Sequence, residues 1–430
     1  MTDRSSDTRA TTVVTLRTLE GLRLLESASA SSNPAGSPSS DPVADALLLN
    51  RYRRILSQID DASADTGSNV LLTVDDRDAS LLLSKIAEDG AVGSALEAGG
   101  LEAKFGTGAT GGDVLGWIKS TFDHIDRQQA HAIMRPANVG VEAIADKASI
   151  AMLGDWGTNL YGAPVSAASI ARVGNFDLLL HLGDIYYSGT KSEVRTRFLD
   201  AWPASAARKS RALNSNHEMY SGGFAYFDDI LPEFGQQSSY FALQNAHWLL
   251  VGLDTAYVDH DMDEAQVDWL RTVIRNAGAR RIVLLSHQQL FSRLDEQGPK
   301  LQTALADILA TKAVAAWYWG HEHECVIYDR HPTFGFLARC LGNGGVPSPR
   351  KREVRNAPVE RVVAGVSWKR FTATAAAPSC LVLDGSNPYI KGEEDRFGPH
   401  GYMTLELSGA TLTERVFLPD GTEIYQGKVS

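Results

Sequence analysis

Short apolar runs alternate with helical stretches from about residue 147 of this 430-residue chain. Six of the runs end in polar residues, as buried strands do where they leave a sheet. They span residues 149–155, 176–184, 210–216, 247–254, 281–287 and 313–321. Helical periodicity lies between several of them, at residues 166–173, 192–200, 262–276 and 299–311. This alternation predicts a layered α/β fold in which ligands bind beyond the carboxyl ends of the strands.

The chain after His323 has a stronger β pattern. Strands are predicted at residues 325–330, 334–342, 379–384 and 401–409. Residues 410–429 alternate around Pro419, Asp420 and Gly421, which predicts a closing β-hairpin.

The first third of the chain shows neither pattern. Residues 1–42 are rich in Ser, Thr, Ala and Asp, and we expect them to be disordered. Residues 43–147 are predicted to form a mainly helical N-terminal region without a chemical motif. Its predicted helices are residues 43–59, 78–89 and 113–131. The role of this region stays open between a small appendage and a docking or oligomerisation module. Residues 148–430 are left as the domain that carries chemistry.

The composition suits a soluble globular protein. Apolar residues make up 43% of the chain and charged residues 22%, and 41 Lys and Arg against 52 Asp and Glu give a formal net charge of −11. A net negative charge disfavours bulk binding to nucleic acid or to anionic membranes. A small anionic substrate would therefore need a local positive site, which bound metal can supply.

The remaining sequence features bear on the cellular location of the protein, and they do so only through signals that are not found. The three cysteines, Cys325, Cys340 and Cys380, are too few for a disulfide framework and are interpreted as reduced thiols. No apolar run is long enough for a membrane span, and the N-terminus lacks the apolar core of a signal peptide. We therefore expect a cytoplasmic protein. The oligomeric state cannot be predicted from these features.

Side chains that bind metals or move protons follow the predicted strands. They are Asp155, Asp184 with Tyr187, Asn216 with His217, His287, and His321 with His323. Taken singly, each has a structural explanation, because Asp often caps a turn and a lone Tyr or His is often a core residue. Together they favour a shared metal site, since parallel strands bring their carboxyl ends to one edge.

The ordered motifs that contain these residues resemble those of the calcineurin-like metallophosphoesterase superfamily. The motifs are Gly154-Asp155-Trp156-Gly157, Gly183-Asp184-Ile185-Tyr186-Tyr187, Asn216-His217-Glu218, Ser286-His287 and Gly320-His321-Glu322-His323. The resemblance covers about residues 148–430. It implies a four-layer β-sandwich flanked by helices, with two metal ions at the strand ends.

Two departures resemble the purple acid phosphatase branch of that superfamily. Gly157 stands where most members have a histidine, and Tyr187 stands where most have an acidic residue. A third, milder departure is Ser215, which replaces the usual glycine before Asn216. The resemblance then implies one metal on Asp155, Tyr187 and His323, a second on Asn216, His287 and His321, and Asp184 as the bridge. Tyr186 is a nearby competitor for the tyrosine position.

The implied metals depend on the tyrosine. A tyrosinate ligand favours Fe(III), paired with Fe(II), Zn or Mn, and implies visible charge-transfer absorption. If Tyr187 points into the core instead, a colourless Mn or Zn pair is the alternative. His217 is implied beside the substrate phosphate together with Asn216, with a structural histidine as the alternative.

The resemblance implies hydrolysis of small phosphomonoesters by metal-bound hydroxide, with Asp184 and His217 as the catalytic residues. A diesterase acting on cyclic nucleotides or phospholipid-derived diesters is the close alternative, and a non-catalytic scaffold is the alternative from another class. The basic segment 349–372 is interpreted either as a solvated insertion or as a loop that grips phosphate. His331 and His400 are weaker candidates for substrate contact.

Overall fold

The computed structural model describes residues 47, 50–55, 57–58, 76–89, 129–204, 209–294 and 299–429. The chain divides into two compact units, residues 1–128 and residues 129–430.

The first unit is helical at all of its described residues except Asp76. Residues 50–55 are helical, and helix α1 spans Arg77–Asp89. The Asp76 carboxylate accepts a hydrogen bond from the backbone of Ala79 at 3.0 Å, which caps the start of α1. The predicted segment 1–42 and most of the predicted third helix lie outside the described residues, and the described end of that helix, residues 129–131, is not helical.

The second unit contains two β-sheets in its described residues. Its strands are β1 (Val141–Ala143), β2 (Lys147–Leu153), β3 (Leu178–His181), β4 (Lys209–Ala212), β5 (Phe241–Gln244), β6 (Trp248–Gly252), β7 (Arg281–Leu285), β8 (Val314–Trp319), β9 (Cys325–Tyr328), β10 (Leu337–Leu341), β11 (Val359–Val363), β12 (Val366–Phe371), β13 (Cys380–Asp384), β14 (Tyr402–Ser408), β15 (Thr411–Phe417) and β16 (Glu423–Lys428).

Helices connect these strands. They are α2 (Gly162–Val173), α3 (Lys191–Glu193), α4 (Asn216–Tyr220), α5 (Leu231–Glu233), α6 (Glu264–Arg275), α7 (Lys300–Ala304), α8 (Ala306–Ala310) and α9 (Arg352–Asn356), together with π-helical turns at Val194–Leu199 and Tyr226–Ile230.

The strands form a ten-stranded and a six-stranded sheet. The order is β1-β5-β6-β7-β8-β10-β9-β13-β12-β11 in the larger sheet and β16-β15-β14-β2-β3-β4 in the smaller. Strands β2, β3 and β4 are parallel neighbours, and so are β6, β7 and β8. Parallel pairing sends the carboxyl ends of these six strands to the edges where the sequence places its polar residues.

Three buried apolar clusters make this a four-layer fold. One cluster lies between the sheets and joins Ile150 and Leu405 of the smaller sheet to Leu250 and Val283 of the larger. A second packs the larger sheet against helices that include α6, and a third packs the smaller sheet against helices that include α2. The predicted four-layer α/β sandwich is therefore confirmed.

The second unit begins upstream of the boundary predicted at residue 148, since β1 pairs with β5 in the larger sheet. All six apolar runs form strands, but β1, β5, β11 and β12 were not predicted. Among the described residues, no helix combines the length and the apolar character that crossing a bilayer requires. The three cysteines are buried and unbridged, as expected for reduced thiols.

The basic segment 349–372 forms α9 and the β11–β12 hairpin at the edge of the larger sheet. Arg350 and Lys369 lie 2.7 and 3.8 Å from Asp384. Arg370 lies beside two further carboxylates. These three cations neutralise acidic groups of their own surroundings, which favours the structural interpretation for this part of the segment.

Candidate metal centre

The turns after the strands carry ligand candidates in an unusual backbone conformation. Asp155, Asp184, His321 and His323 all have φ between 52° and 75°, in the left-handed region. A residue with a side chain is rarely held there, and the strain is of order 1–3 kcal/mol per residue. Such strained turns are concentrated at functional sites, where the surrounding structure holds them in place.

Two glycines make these turns possible. A Cβ on Gly183, which itself has a φ of 104°, would lie 2.6 Å from His287 Nδ1. A Cβ on Gly320 would lie 2.5 Å from the Asp155 carboxylate. Glycine immediately before Asp184 and His321 therefore lets ligand candidates from different strands approach each other closely.

One set of donor atoms, called here the second group, consists of Asp184 Oδ1, Asn216 Oδ1, His287 Nε2 and His321 Nδ1. His287 Nε2 lies 3.2 Å from Asp184 Oδ1, 3.0 Å from Asn216 Oδ1 and 3.2 Å from His321 Nδ1. Metal–ligand bonds of about 2.0–2.2 Å put neighbouring donors roughly 2.9–3.5 Å apart. The second group has the spacing of one coordination sphere.

The other set, called here the first group, consists of Asp155 Oδ1, Asp184 Oδ2, His323 Nε2 and the Tyr186 hydroxyl. His323 Nε2 lies 3.5 Å from Asp155 Oδ1 and 3.7 Å from Asp184 Oδ2. The Tyr186 hydroxyl lies 2.6 Å from His323 Nε2 and 3.4 Å from Asp184 Oδ2. The first group is thus looser than the second and contains more oxygen.

Asp184 belongs to both groups through different oxygens. Its Oδ1 faces His287, and its Oδ2 faces His323 and Tyr186. The carboxylate is fully buried. One carboxylate with an oxygen directed to each side is the geometry that bridging two cations requires.

Two buried oxygens show whether a metal fits. Among the described residues, Asp155 Oδ1 and Asp184 Oδ1 accept no hydrogen bond as long as His323 Nε2 and His287 Nε2, 3.5 and 3.2 Å away, keep their lone pairs. The other Asp155 oxygen accepts from the His321 backbone at 2.9 Å, so it holds the turn while Oδ1 stays available. Buried carboxylate oxygens without donors are costly unless a cation meets them. The residues therefore fit two metal ions.

The hydrogen bonds behind the second group select its ligand atoms. His287 Nδ1 lies 2.8 Å from the Leu182 carbonyl, to which it can only donate, so Nε2 keeps its lone pair. The Asn216 amide nitrogen donates to the Tyr220 hydroxyl at 3.0 Å, which turns Asn216 Oδ1 toward His287. These contacts preset a nitrogen and an oxygen donor.

The tyrosine at the first group is Tyr186, where the motif spacing predicted Tyr187. The Tyr186 hydroxyl contacts His323 and Asp184, as given above. The Arg197 guanidinium lies over the Tyr187 ring, with its central carbon 5.3 Å from the ring centroid. The Tyr187 backbone N–H donates a hydrogen bond to the Glu193 carboxylate at 2.6 Å. The structure thus places the hydroxyl of the competitor Tyr186 in the first group, and which of the two tyrosines binds metal remains a prediction.

The charges at the centre are strongly perturbed. Burial and the charge of Asp184 raise the pKa of Asp155 well above its ordinary value. Burial opposes ionisation of Asp184, but His287 and His217 together hold its pKa well below the ordinary value. One carboxylate thus stays ionised at the expense of its neighbour. Cations would remove that conflict.

Glu218 supports the bridge from behind. Its carboxylate accepts from the Ser215 hydroxyl and from the Asp184 backbone, the latter at 3.3 Å. Burial, followed by the charge of Asp184, raises the pKa of Glu218 to about 7. Ser215, the third departure from the usual motif, is therefore used as a hydrogen-bond donor at this turn.

His217 is buried against the first group. Its ring lies on Tyr186 with centroids 3.9 Å apart. Its Nδ1 lies 2.5 Å from the Tyr187 carbonyl, to which it donates, so Nε2 is the nitrogen that can exchange a proton. The structure thus places His217 beside the first group, among the strand-end residues that the sequence predicted to lie together.

His400 and His331 have structural roles. His400 Nδ1 accepts from the Gly162 backbone at 3.1 Å, and Nε2 lies 3.1 Å from the Val346 carbonyl. His331 Nδ1 accepts two backbone N–H groups of its own turn, from Thr333 and Phe334. Neither contact involves the two groups.

Sequence reasoning missed His260. This residue follows β6, and its Nε2 lies 3.4 Å from His321 Nε2. The apolar run 247–254 was predicted as a strand, but no ligand candidate was sought beyond its end. The adjacent pair Asp259 and His260, a few residues past that end, was the signal available.

The match to a known protein family lies within the second unit. Residues 148–325 match the sequence model of the calcineurin-like phosphoesterase family. This segment is a calcineurin-like phosphoesterase domain. It contains every member of both groups. A search of curated proteins finds no match.

Solved structures of low identity resemble the domain. A purple acid phosphatase from yellow lupin (Lupinus luteus) seeds is 12% identical, with 68% of this chain and 55% of that chain covered and a TM-score of 0.48. The chain thus spans about half the length of that phosphatase. PhoD is 13% identical, with 69% and 73% covered and a TM-score of 0.42. A dimetal phosphatase from Danio rerio is 12% identical, with 66% and 98% covered and a TM-score of 0.38.

Proposed function

We propose that the calcineurin-like phosphoesterase domain is a two-metal hydrolase of small phosphomonoesters. The observation that carries the proposal is the placement of Asp184, whose two oxygens face two separate groups of donors. A single metal site would not need a buried carboxylate that is divided in this way.

Asp155, Asp184, Tyr186 and His323 would hold one metal. Asn216, His287 and His321 would hold the other with Asp184. Bound there, two metal ions would supply a strong nucleophile from water near neutral pH and neutralise the phosphoryl oxygens. The phenol at the first group favours Fe(III) there, with Fe(II), Zn or Mn at the second, and a Mn or Zn pair is the alternative.

The remaining work falls to residues of the chain. His217 Nδ1–H donates a hydrogen bond to the Tyr187 carbonyl. Its Nε2 is therefore the nitrogen that can give a proton to the departing oxygen of the substrate. Its packing on Tyr186 fixes the plane of the imidazole. Glu218 and Ser215 hold the Asp184 backbone, which fixes the bridge.

Hydrolysis of p-nitrophenyl phosphate and of its bis ester tests the function. We expect the protein loaded with Fe, Mn or Zn to cleave the monoester faster. Faster cleavage of the bis ester would replace the proposal with a diesterase. Failure to cleave either ester with any of these metals would contradict a phosphoesterase and favour a scaffold that retains the fold.

A further inference from the structure

We propose that His260 is a positioning residue that, together with Asp259, fixes which ring nitrogen of His321 faces the second group. This inference rests on the two-metal function proposed above. It assigns a role to a residue outside the family motifs and outside the ligand set.

Three side chains form a line that leads away from the second group. His321 Nδ1 lies 3.2 Å from His287 Nε2, and His321 Nε2 lies 3.4 Å from His260 Nε2. The two imidazoles meet edge to face, with centroids 5.2 Å apart and an angle of 76°. His260 Nδ1 lies 2.7 Å from Asp259 Oδ1.

When both imidazoles are neutral and a metal occupies the second group, the hydrogens of His321 and His260 can be placed in only one consistent way. His321 Nδ1 must present a lone pair to the metal, so its hydrogen is on Nε2. That hydrogen points at His260 Nε2, which must accept it. The hydrogen of His260 is then on Nδ1, where the Asp259 carboxylate accepts it.

The backbone holds His260 for this contact. His260 has a φ of 55°, and the Asp261 backbone donates to the Val258 carbonyl at 2.7 Å, which closes a tight turn around residues 258–261. The His260 side chain remains about one-third exposed, at 36%. Because His260 is partly exposed, water can approach His321 Nε2 when the His260 imidazole is removed. We therefore expect its substitution to weaken metal binding measurably without unfolding the protein.

A histidine ligand whose other N–H meets a fixed acceptor binds its metal more tightly. Loss of such a partner typically costs about 10–100-fold in metal affinity. Because His260 contacts His321 and His321 belongs to the second group alone, the loss should be confined to one of two binding steps. Asp259 acts one contact further out and is exposed, so its loss should cost less.

Calorimetric titration of the metal-free protein with Zn²⁺ tests the proposal. We expect wild-type protein to show two binding steps and His260→Leu to weaken one of them by about 10-fold or more. His260→Gln should restore most of that loss, since its side-chain oxygen can accept from His321 Nε2. His247→Leu, at an exposed histidine elsewhere in the unit, is the matched control and should change neither step.

Three results would overturn the proposal: unchanged affinities in His260→Leu, equal weakening of both steps, or no recovery in His260→Gln. Absence of Zn²⁺ binding in the wild type would overturn it as well. Two normal binding steps without ester hydrolysis would refute the proposed function alone.

Discussion

The two groups of donors share Asp184 and otherwise differ in charge and spacing. The second group adds only neutral donors to the shared carboxylate, and its distances from His287 are 3.0–3.2 Å. The first group adds Asp155 and a phenol, and its distances run from 2.6 to 3.7 Å. The second group is therefore arranged by hydrogen bonds behind its ligands, whereas the first depends on negative charge that a cation must balance.

This difference indicates which metal each group prefers. Neutral nitrogen and amide donors suit a divalent ion that exchanges readily, and oxygen-rich anionic donors favour a harder, more highly charged ion. Under the proposed function, the donors favour unlike metals in the two groups over the alternative Mn or Zn pair.

Asp184→Asn should have the largest effect, because it removes the ligand that the two groups share. We expect both Zn²⁺ binding steps to weaken and phosphoesterase activity to fall by more than roughly 100-fold, beyond the usual cost of losing an outer partner. Metal analysis and initial rates measure this. Asp268→Asn, at an exposed carboxylate on α6, is the matched control. Full activity with both metals retained would remove Asp184 from the centre.

Tyr186→Phe should affect the first group alone. If iron is bound, the visible phenolate-to-iron absorption should disappear in Tyr186→Phe and persist in Tyr187→Phe. In a colourless protein, only Tyr186→Phe should weaken the binding step that His260→Leu leaves unchanged, by roughly 10-fold. The opposite result in the two variants would return the ligand position to Tyr187 and would make the motif spacing correct.

His181→Leu should have the smallest effect on the metal centre, because it changes only the stability of the packing behind the first group. Burial lowers the pKa of His181 to about 3, and its ring packs on Phe198 and near Trp156. Between pH 6.5 and about 3 the unfolded chain binds one more proton here than the folded protein, so stability falls as the pH falls through this window. The slope approaches about 1.4 kcal/mol per pH unit.

Urea unfolding between pH 7 and pH 4 measures this contribution. His181→Leu should flatten the pH dependence of the free energy of unfolding, whereas His247→Leu should leave it unchanged. His400, whose pKa burial lowers to about 4, acts in the same direction and keeps some dependence in the variant. An unaltered slope in His181→Leu would show that this histidine does not titrate as its burial requires.

The strands and their polar ends could be predicted because both are local. A buried run such as 281–287 is apolar up to Leu285 and ends in Ser286 and His287. Parallel pairing with the neighbouring strand then brings such polar ends to the same edge of the sheet. Asp155, Asp184, Asn216, His287, His321 and His323 were thus found as one set, and the structure places their side chains together. Their assignment as ligands remains a prediction.

The choice between Tyr186 and Tyr187 could not be predicted in the same way. The two residues are adjacent in the turn after Asp184, whose φ is 75°, and the sequence spacing alone does not say which of the two side chains faces the site. His260 was missed for a related reason. It approaches His321 from a loop 61 residues away, and no spacing rule connects the two.

The turn at Asp155 joins the two sheets. Asp155 follows β2 of the smaller sheet, and its carboxylate accepts from the His321 backbone beyond β8 of the larger. Asp184 and His287 form a second crossing of the same kind. Metal ions at this position would bind ligands from both sheets and so connect them. The stability of the contact between the sheets would then depend on metal occupancy, and the melting temperature should rise with metal concentration.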